Sequence, residues 1–362
     1  MSLPAPKTNA AGPDGARHGG SRLLEVRDLK VEFDTYGGVV QAVRGVDFSV
    51  DRGETLAIVG ESGCGKSVSV QALMGLVPRP PGRITSGSVL FEGREILGLP
   101  LREANRIRGK RIGMIFQDPM TSLNPTMRVG KQITETLRVH EGLDGAAARR
   151  KAIEFLERVQ IPEAAARVDD YPFQFSGGMR QRVMIAMAIA CGPALLIADE
   201  PTTALDVTVQ AEILQLLADL QREQGMAIVL ITHDLGVVAR MADRVAVMYA
   251  GQIVEHGTAE QLFTHPAHPY TLGLQAAMPK DREGARERLT AIEGSPPDLF
   301  SPPKGCPYFE RCPWAMQLCG PAMPPAWSVE PGHDARCWLH HALARPRRPA
   351  ELYRGAEMEA AS

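Results

Sequence analysis

The sequence is poor in aromatics, which make up 5% of its 362 residues and include only 3 tryptophans. So small a supply of rings argues against a surface that reads single-stranded nucleic acid by base stacking. An excess of charge is also missing. Lys and Arg number 40 against 42 Asp and Glu, a net charge of −2, so no global field exists to hold nucleic acid or an anionic membrane. Long apolar runs are absent too. The longest, residues 183–198, is short for a bilayer and is broken by Gly192 and Pro193. It reads as a buried helix, a turn and a buried strand. Residues 1–22 are rich in Gly, Pro and Ala without the apolar stretch of a secretory leader, and read as a disordered tail. A cytosolic or peripheral protein is expected, one whose 6 cysteines stay out of structural disulfides.

What remains is ordinary globular material: 44% hydrophobic and 23% charged residues, with length for roughly two to two and a half domains. Residues 23–257 alternate strand-like and helical patterns. The runs 55–59, 195–198 and 228–231 are apolar almost throughout, as parallel strands covered on both faces are. Residues 244–248 and 252–255 read as a hairpin. Between 121 and 170 the pattern turns helical, with Ala152, Phe155, Leu156 and Val159 on one face. The expected fold is α/β, a doubly wound core with an inserted helical block.

The strongest motif is the run Gly60, Glu61, Ser62, Gly63, Cys64, Gly65, Lys66, Ser67, followed by Val68 in a helical pattern. It matches G-x-x-x-x-G-K-[ST], with a strand before it and a helix after it. The glycines permit a tight loop whose backbone N–H groups converge on phosphate oxygens. The following helix turns its positive end toward the same anion. Lys66 supplies a charge for the β- and γ-phosphates of a nucleotide, and Ser67 a hydroxyl for Mg²⁺. The loop's positive field is expected to lower the Cys64 pKa and make the thiol alkylatable.

A second motif ends the run 195–198 with Asp199 and Glu200, at the carboxyl edge where open α/β sheets bind ligands. Asp199 is expected to hold Mg²⁺ and Glu200 to polarise an attacking water. A third, Phe175, Ser176, Gly177, Gly178, Met179, precedes a long helical pattern and offers another phosphate-binding helix start.

Taken in this order, the three motifs resemble those of the ABC transporter ATPases over about residues 23–257. The resemblance implies a P-loop ABC ATPase fold: a RecA-like core, an antiparallel β subdomain, and a helical subdomain at about 118–188. It makes Gln117 the glutamine that senses Mg²⁺ and the permease. It makes Asp206 part of the loop after the Asp-Glu pair, and His233 the residue that contacts the γ-phosphate. Phe33, with Tyr36 as its rival, becomes the adenine-stacking aromatic. Met179 departs from the usual Gln of the signature, a departure shared by the oligopeptide group. The resemblance also implies a second ABC ATPase, because Ser176, Gly177 and Gly178 of one subunit close on ATP held by the other. Two membrane permeases and an extracytoplasmic solute-binding protein complete the expected assembly.

From residue 258 prolines and cysteines become frequent. Residues 258–340 resemble the C-terminal domain of the dipeptide, oligopeptide and nickel importers, the D-type peptide subunit most closely. The expected role is an ATPase subunit energising a di- or oligopeptide importer at the inner face of the cytoplasmic membrane. Import of nickel or another small solute is the alternative, and a soluble ABC ATPase acting on DNA or ribosomes the competing class. Cys306, Cys312, Cys319 and Cys337 fall close together, and such density in a cytosolic protein suggests a metal. No C-x₂-C knuckle is present. All-cysteine ligation suits a [4Fe–4S] cluster, with zinc or plain reduced thiols as alternatives. Residues 341–362 are expected to be a flexible tail.

Overall fold

The structure is a computed structural model that describes residues 22–203, 205–278 and 291–352. The expected disordered tail falls almost wholly on residues 1–21, outside the described residues. The chain opens with β1 (Arg22–Thr35) and β2 (Gly38–Asp51), joined at Tyr36 and Gly37 and paired antiparallel. Next come β3 (Thr55–Val59), α1 (Lys66–Leu73), β4 (Gly82–Phe91), β5 (Arg94–Glu95), α2 (Leu101–Ile107) and β6 (Ile112–Ile115). A helical block follows: α3 (Pro119–Ser122), α4 (Val129–Glu141), α5 (Gly145–Arg158), α6 (Ala164–Arg167) and α7 (Gly177–Ile189). The core resumes with β7 (Leu195–Asp199), α8 (Val207–Gln224), β8 (Ala227–Thr232), α9 (Leu235–Met241), β9 (Arg244–Tyr249) and β10 (Gln252–Thr258). Beyond it lie α10 (Ala259–Thr264), α11 (Pro269–Ala276), β11 (Trp327–Glu330) and β12 (His333–Ala335).

Two sheets result. One has four antiparallel strands in the order β2-β1-β4-β5. The other has eight, in the order β11-β12-β10-β9-β3-β8-β7-β6. Its inner pairs β9–β3, β3–β8, β8–β7 and β7–β6 are parallel. The apolar strand runs make physical sense here, because both faces of the parallel sheet are covered. In β7, Leu195 and Ile197 enter the core beneath the four-stranded sheet and α1, while Leu196 and Ala198 enter the core shared with the helical block and α8. The face of α5 read from the sequence is buried: Ala152, Phe155 and Leu156, with Val159 just past the helix end. The run 183–198 is α7, a turn at Gly192 and β7.

The C-terminal part is not a free-standing unit. The hairpin of β11 and β12 adds to β10, so these residues extend the same eight-stranded sheet. A third core cluster joins Val245, Val247 and Tyr249 to Tyr270, Cys306 and Tyr308. The flexible tail expected from residue 341 is corrected over its first part. A 3₁₀ turn covers Ala342–Arg347, and Leu352 is fully buried against Cys337 and Leu339. Apolar anchors in a Pro- and Arg-rich stretch were too few to register as a pattern. Residues 353–362 lie outside the described residues.

Candidate nucleotide site

Four parallel strands end at the same edge of the sheet, and each delivers one candidate group. β3 runs into the loop 60–65, β6 leads to Gln117, β7 ends at Asp199, and β8 leads to His233. This is the carboxyl edge, where such sheets place their ligands.

The loop is a tight cradle. Gly65 has φ +103° and precedes α1 as its N-terminal cap. A Cβ added there would sit 2.3 Å from the Ala42 carbonyl oxygen, so only glycine fits. Lys66 is buried, and its ammonium donates to the carbonyls of Gly60 at 2.8 Å and Glu61 at 3.0 Å. The turn between β9 and β10 braces the loop, the N–H of Gly251 donating to the Cys64 carbonyl at 2.9 Å. Val68 packs its side chain onto the core below. Cys64 is buried, and burial pushes its thiol pKa up despite the opposing charge of Lys66. The expected low-pKa, readily alkylated thiol is therefore corrected: desolvation outweighs the cation beside it.

The Ser67 hydroxyl donates to Asp199 Oδ1 at 2.8 Å. Burial raises the Asp199 pKa, the Ser67 hydrogen bond lowers it, the neighbouring Glu200 raises it and Lys66 lowers it. A desolvated carboxylate beside a hydroxyl is a hard-oxygen donor set of the kind Mg²⁺ takes. Glu200 has φ +47°, a left-handed backbone uncommon for glutamate and a form of strain that clusters at functional sites. Its Oε2 accepts from the Gln117 amide at 3.0 Å and from the Thr203 hydroxyl at 2.8 Å. His233 Nδ1 lies 3.6 Å from its Oε1. Gln117, Glu200 and His233, from three different strands, therefore meet. Thr203 was not singled out from the sequence. Its signal was a hydroxyl three residues after an acid at a strand end.

The remaining candidates do not join this cluster. Ser176 caps α7, its Oγ accepting from the Met179 N–H at 3.3 Å. Gly177 is open around its Cα, whereas a Cβ on Gly178 would meet Val209 at 2.8 Å. Among the described residues no hydrogen bond links Ser176, Gly177 or Gly178 to the loop 60–67. α7 instead reaches the Asp-Glu turn through Gln181, whose amide donates to the Pro201 carbonyl at 2.6 Å. Asp206 is committed as the cap of α8, accepting from the Val209 N–H at 3.0 Å. Phe33 is paired between Val40 and Gly82 and packs on the core, while Tyr36 stands fully exposed at the hairpin tip. Phe33 is thus half-buried and Tyr36 the freer of the two rings.

Cys306, Cys312, Cys319 and Cys337 line one small cavity of about 10 Å³ with His268, Tyr308 and Trp338. None forms a disulfide. Among the described residues no group of three or more His, Cys, Asp and Glu is placed to hold a metal ion. The structure therefore does not support the expectation of a [4Fe–4S] or zinc site. These thiols are packed as small apolar core groups. Burial pushes Cys306 up to about 12 and Cys312 up to about 11.

With this geometry in hand, comparison with known proteins is informative. Residues 43–203 match the ABC transporter family model, and residues 254–319 match the C-terminal region of oligopeptide/dipeptide transporters. The oligopeptide transport ATP-binding protein OppD of Bacillus subtilis (strain 168) is 58% identical over 331 residues, covering 91% of this chain and 92% of that protein. The dipeptide transport ATP-binding protein DppD of the same organism is 53% identical, covering 89% of this chain and 96% of that protein. Among solved structures, a dimeric ATP-binding cassette in a post-hydrolysis state bound to ADP and Pi is similar. It has a TM-score of 0.59 at 28% identity, over 66% of this chain and 99% of that one.

Proposed function

Because the chain belongs to the family of ATP-binding subunits of ABC peptide transporters, we propose that it is the ATP-hydrolysing subunit of an importer for di- and oligopeptides. The observation that carries this reading is the meeting of a phosphate-type loop with Asp199, Glu200, Gln117 and His233 at one sheet edge.

The division of labour follows from the chemistry. Loop N–H groups other than those of Glu61 and Cys64, together with those at the start of α1, take the phosphate oxygens, and Lys66 exchanges its loop carbonyls for the β- and γ-phosphates. Ser67 and Asp199, with Gln117, would hold Mg²⁺, which supplies charge neutralisation across the phosphates. Glu200, held by Gln117 and Thr203, orients and polarises the attacking water. His233 lies beside Glu200 and contacts the γ-phosphate. The adenine stacks on Phe33 or on its rival Tyr36, whose ring is the more exposed. Ser176, Gly177 and Gly178 face the nucleotide of a second ABC ATPase, which is why they stand apart from this chain's own loop.

No helix among the described residues is long and apolar enough to cross a membrane. The work of translocation then falls to two permease subunits, with an extracytoplasmic solute-binding protein delivering the peptide, and this chain sits on the inner membrane face. Purification of the chain at native abundance from solubilised membranes tests this. Recovery with a second ATPase and two permeases supports it, and recovery only in the soluble fraction, or with ribosomes or DNA, overturns it.

A finer reading concerns the cysteines. We infer that the four thiols stay reduced and pack as small apolar groups, rather than forming a [4Fe–4S] or zinc ligand set, because the cavity they line has room for about one water. Iron and acid-labile sulfide recovered in stoichiometric amount after anaerobic purification would overturn this, and their absence supports it.

A further inference from the structure

Arg311 belongs to the Cys-rich C-terminal part, yet its side chain ends on the phosphate loop. Its Nη1 donates to Glu61 Oε2 at 2.6 Å and its Nη2 to Glu61 Oε1 at 2.9 Å, a two-pronged ion pair across 250 residues of chain. Nη1 also donates to the Tyr249 hydroxyl at 3.1 Å, Nη2 to the Ile292 carbonyl at 3.2 Å and Nε to the Glu293 carbonyl at 3.0 Å. All five guanidinium N–H groups are therefore used. The side chain is only 5% exposed, with its guanidinium carbon 5.8 Å from the Tyr249 ring centre and 6.0 Å from that of Tyr308. A second C-terminal group holds the same loop residue, since the Glu61 N–H donates to the Tyr270 hydroxyl at 2.9 Å.

Glu61 poses an electrostatic problem. It places a carboxylate on the loop that wraps a polyphosphate, and like charges repel strongly where water is thin. A fork-shaped, permanently charged guanidinium opposite that carboxylate answers the problem in a way an ammonium does not. We propose that Arg311 is a positioning residue for ATP binding: it neutralises the Glu61 carboxylate and pins it away from the phosphates. The C-terminal part thereby sets the affinity of the loop for nucleotide. The proposal rests on the reading that residues 60–67 hold the phosphates of ATP.

Mg-ATP affinity is measured on the full chain for wild type, Arg311→Gln, Arg311→Lys, Glu61→Gln and the Glu61→Gln/Arg311→Gln pair, each first checked by its melting curve. Arg311→Gln should weaken ATP at least tenfold and raise KM more than it lowers kcat. Arg311→Lys should recover part of the loss. Glu61→Gln, which leaves the cation and removes the anion, should bind ATP as tightly as wild type or more tightly, and the pair should lose far less than Arg311→Gln alone. A purely structural role would make both single changes weaken binding. Wild-type affinity in folded Arg311→Gln, or an equal loss on the Glu61 side, overturns the proposal. If Arg311→Gln does not fold, Glu61→Gln decides alone, and weaker binding by it refutes charge neutralisation. A wild-type chain that binds no ATP would instead refute the loop reading on which the proposal stands.

Discussion

In the proposed function, Glu200 is the residue on which hydrolysis turns. Its left-handed φ of +47° and its two donors, Gln117 and Thr203, fix the carboxylate at the strand edges. General-base assistance contributes on the order of 10²–10⁴ in rate. Glu200→Gln should therefore retain ATP binding while turnover in the assembled complex falls by about that factor, as read by phosphate release. Near-normal turnover would remove Glu200 from the role. Gly65→Ala should abolish nucleotide binding outright, because the added methyl runs into the Ala42 carbonyl at a φ of +103°. An isothermal titration showing intact ATP affinity would contradict the cradle geometry. At this scale the motifs were legible because spacing alone specifies a loop and places two adjacent acids at a strand end beside it. Burial was not legible. Cys64 was misread for that reason, since sequence shows the sign of a neighbouring charge but not whether water reaches the sulfur.

At the scale of elements, the parallel strands and α7 were readable from apolar periodicity. The β11–β12 hairpin was not, because its few residues pair with β10, far away in sequence. The same region carries a pH signature. Burial lowers His268 from 6.5 to about 4, and burial likewise lowers His340 to about 4. Both are held neutral in the fold, so their contribution is complete above pH 6.5 and is lost as pH falls toward 4. His333 works the other way. Burial opposes its charge, but its bonds to Glu255 at 2.8 Å and Glu330 at 3.2 Å raise its pKa. Its contribution is present below its ordinary value and is lost as pH rises through the raised one. Below pH 6.5 His333 is protonated in the folded and unfolded states alike and adds no pH dependence, so His268 and His340 predict loss of stability between pH 6.5 and 4. All 3 tryptophans, Trp314, Trp327 and Trp338, lie in this part of the chain. Their fluorescence should report a lower melting temperature at pH 5 than at pH 7, and an unchanged or higher one would contradict the assignment.

At the scale of the whole molecule, the proposed function makes the cassette half of a machine. Ser176 caps its own helix and leaves Gly177 open, with no hydrogen bond to this chain's phosphate loop among the described residues. ATP held on one cassette and signature residues offered by another make nucleotide the glue between them. With hydrolysis blocked by Glu200→Gln, added ATP should convert separated cassettes into a stable pair in sedimentation velocity. ADP should not, and pairing indifferent to nucleotide would contradict the account. No single-chain pattern displays such an interface directly. It entered only because the family resemblance says which residues meet across it.

The most direct test of the central claim is peptide uptake by proteoliposomes that hold the complete complex, with ATP on the side of this chain and the peptide-loaded binding protein on the other. The account predicts ATP-dependent accumulation of peptide that Lys66→Ala eliminates. Accumulation that survives Lys66→Ala, or hydrolysis in the wild-type complex that drives no peptide across, would contradict it.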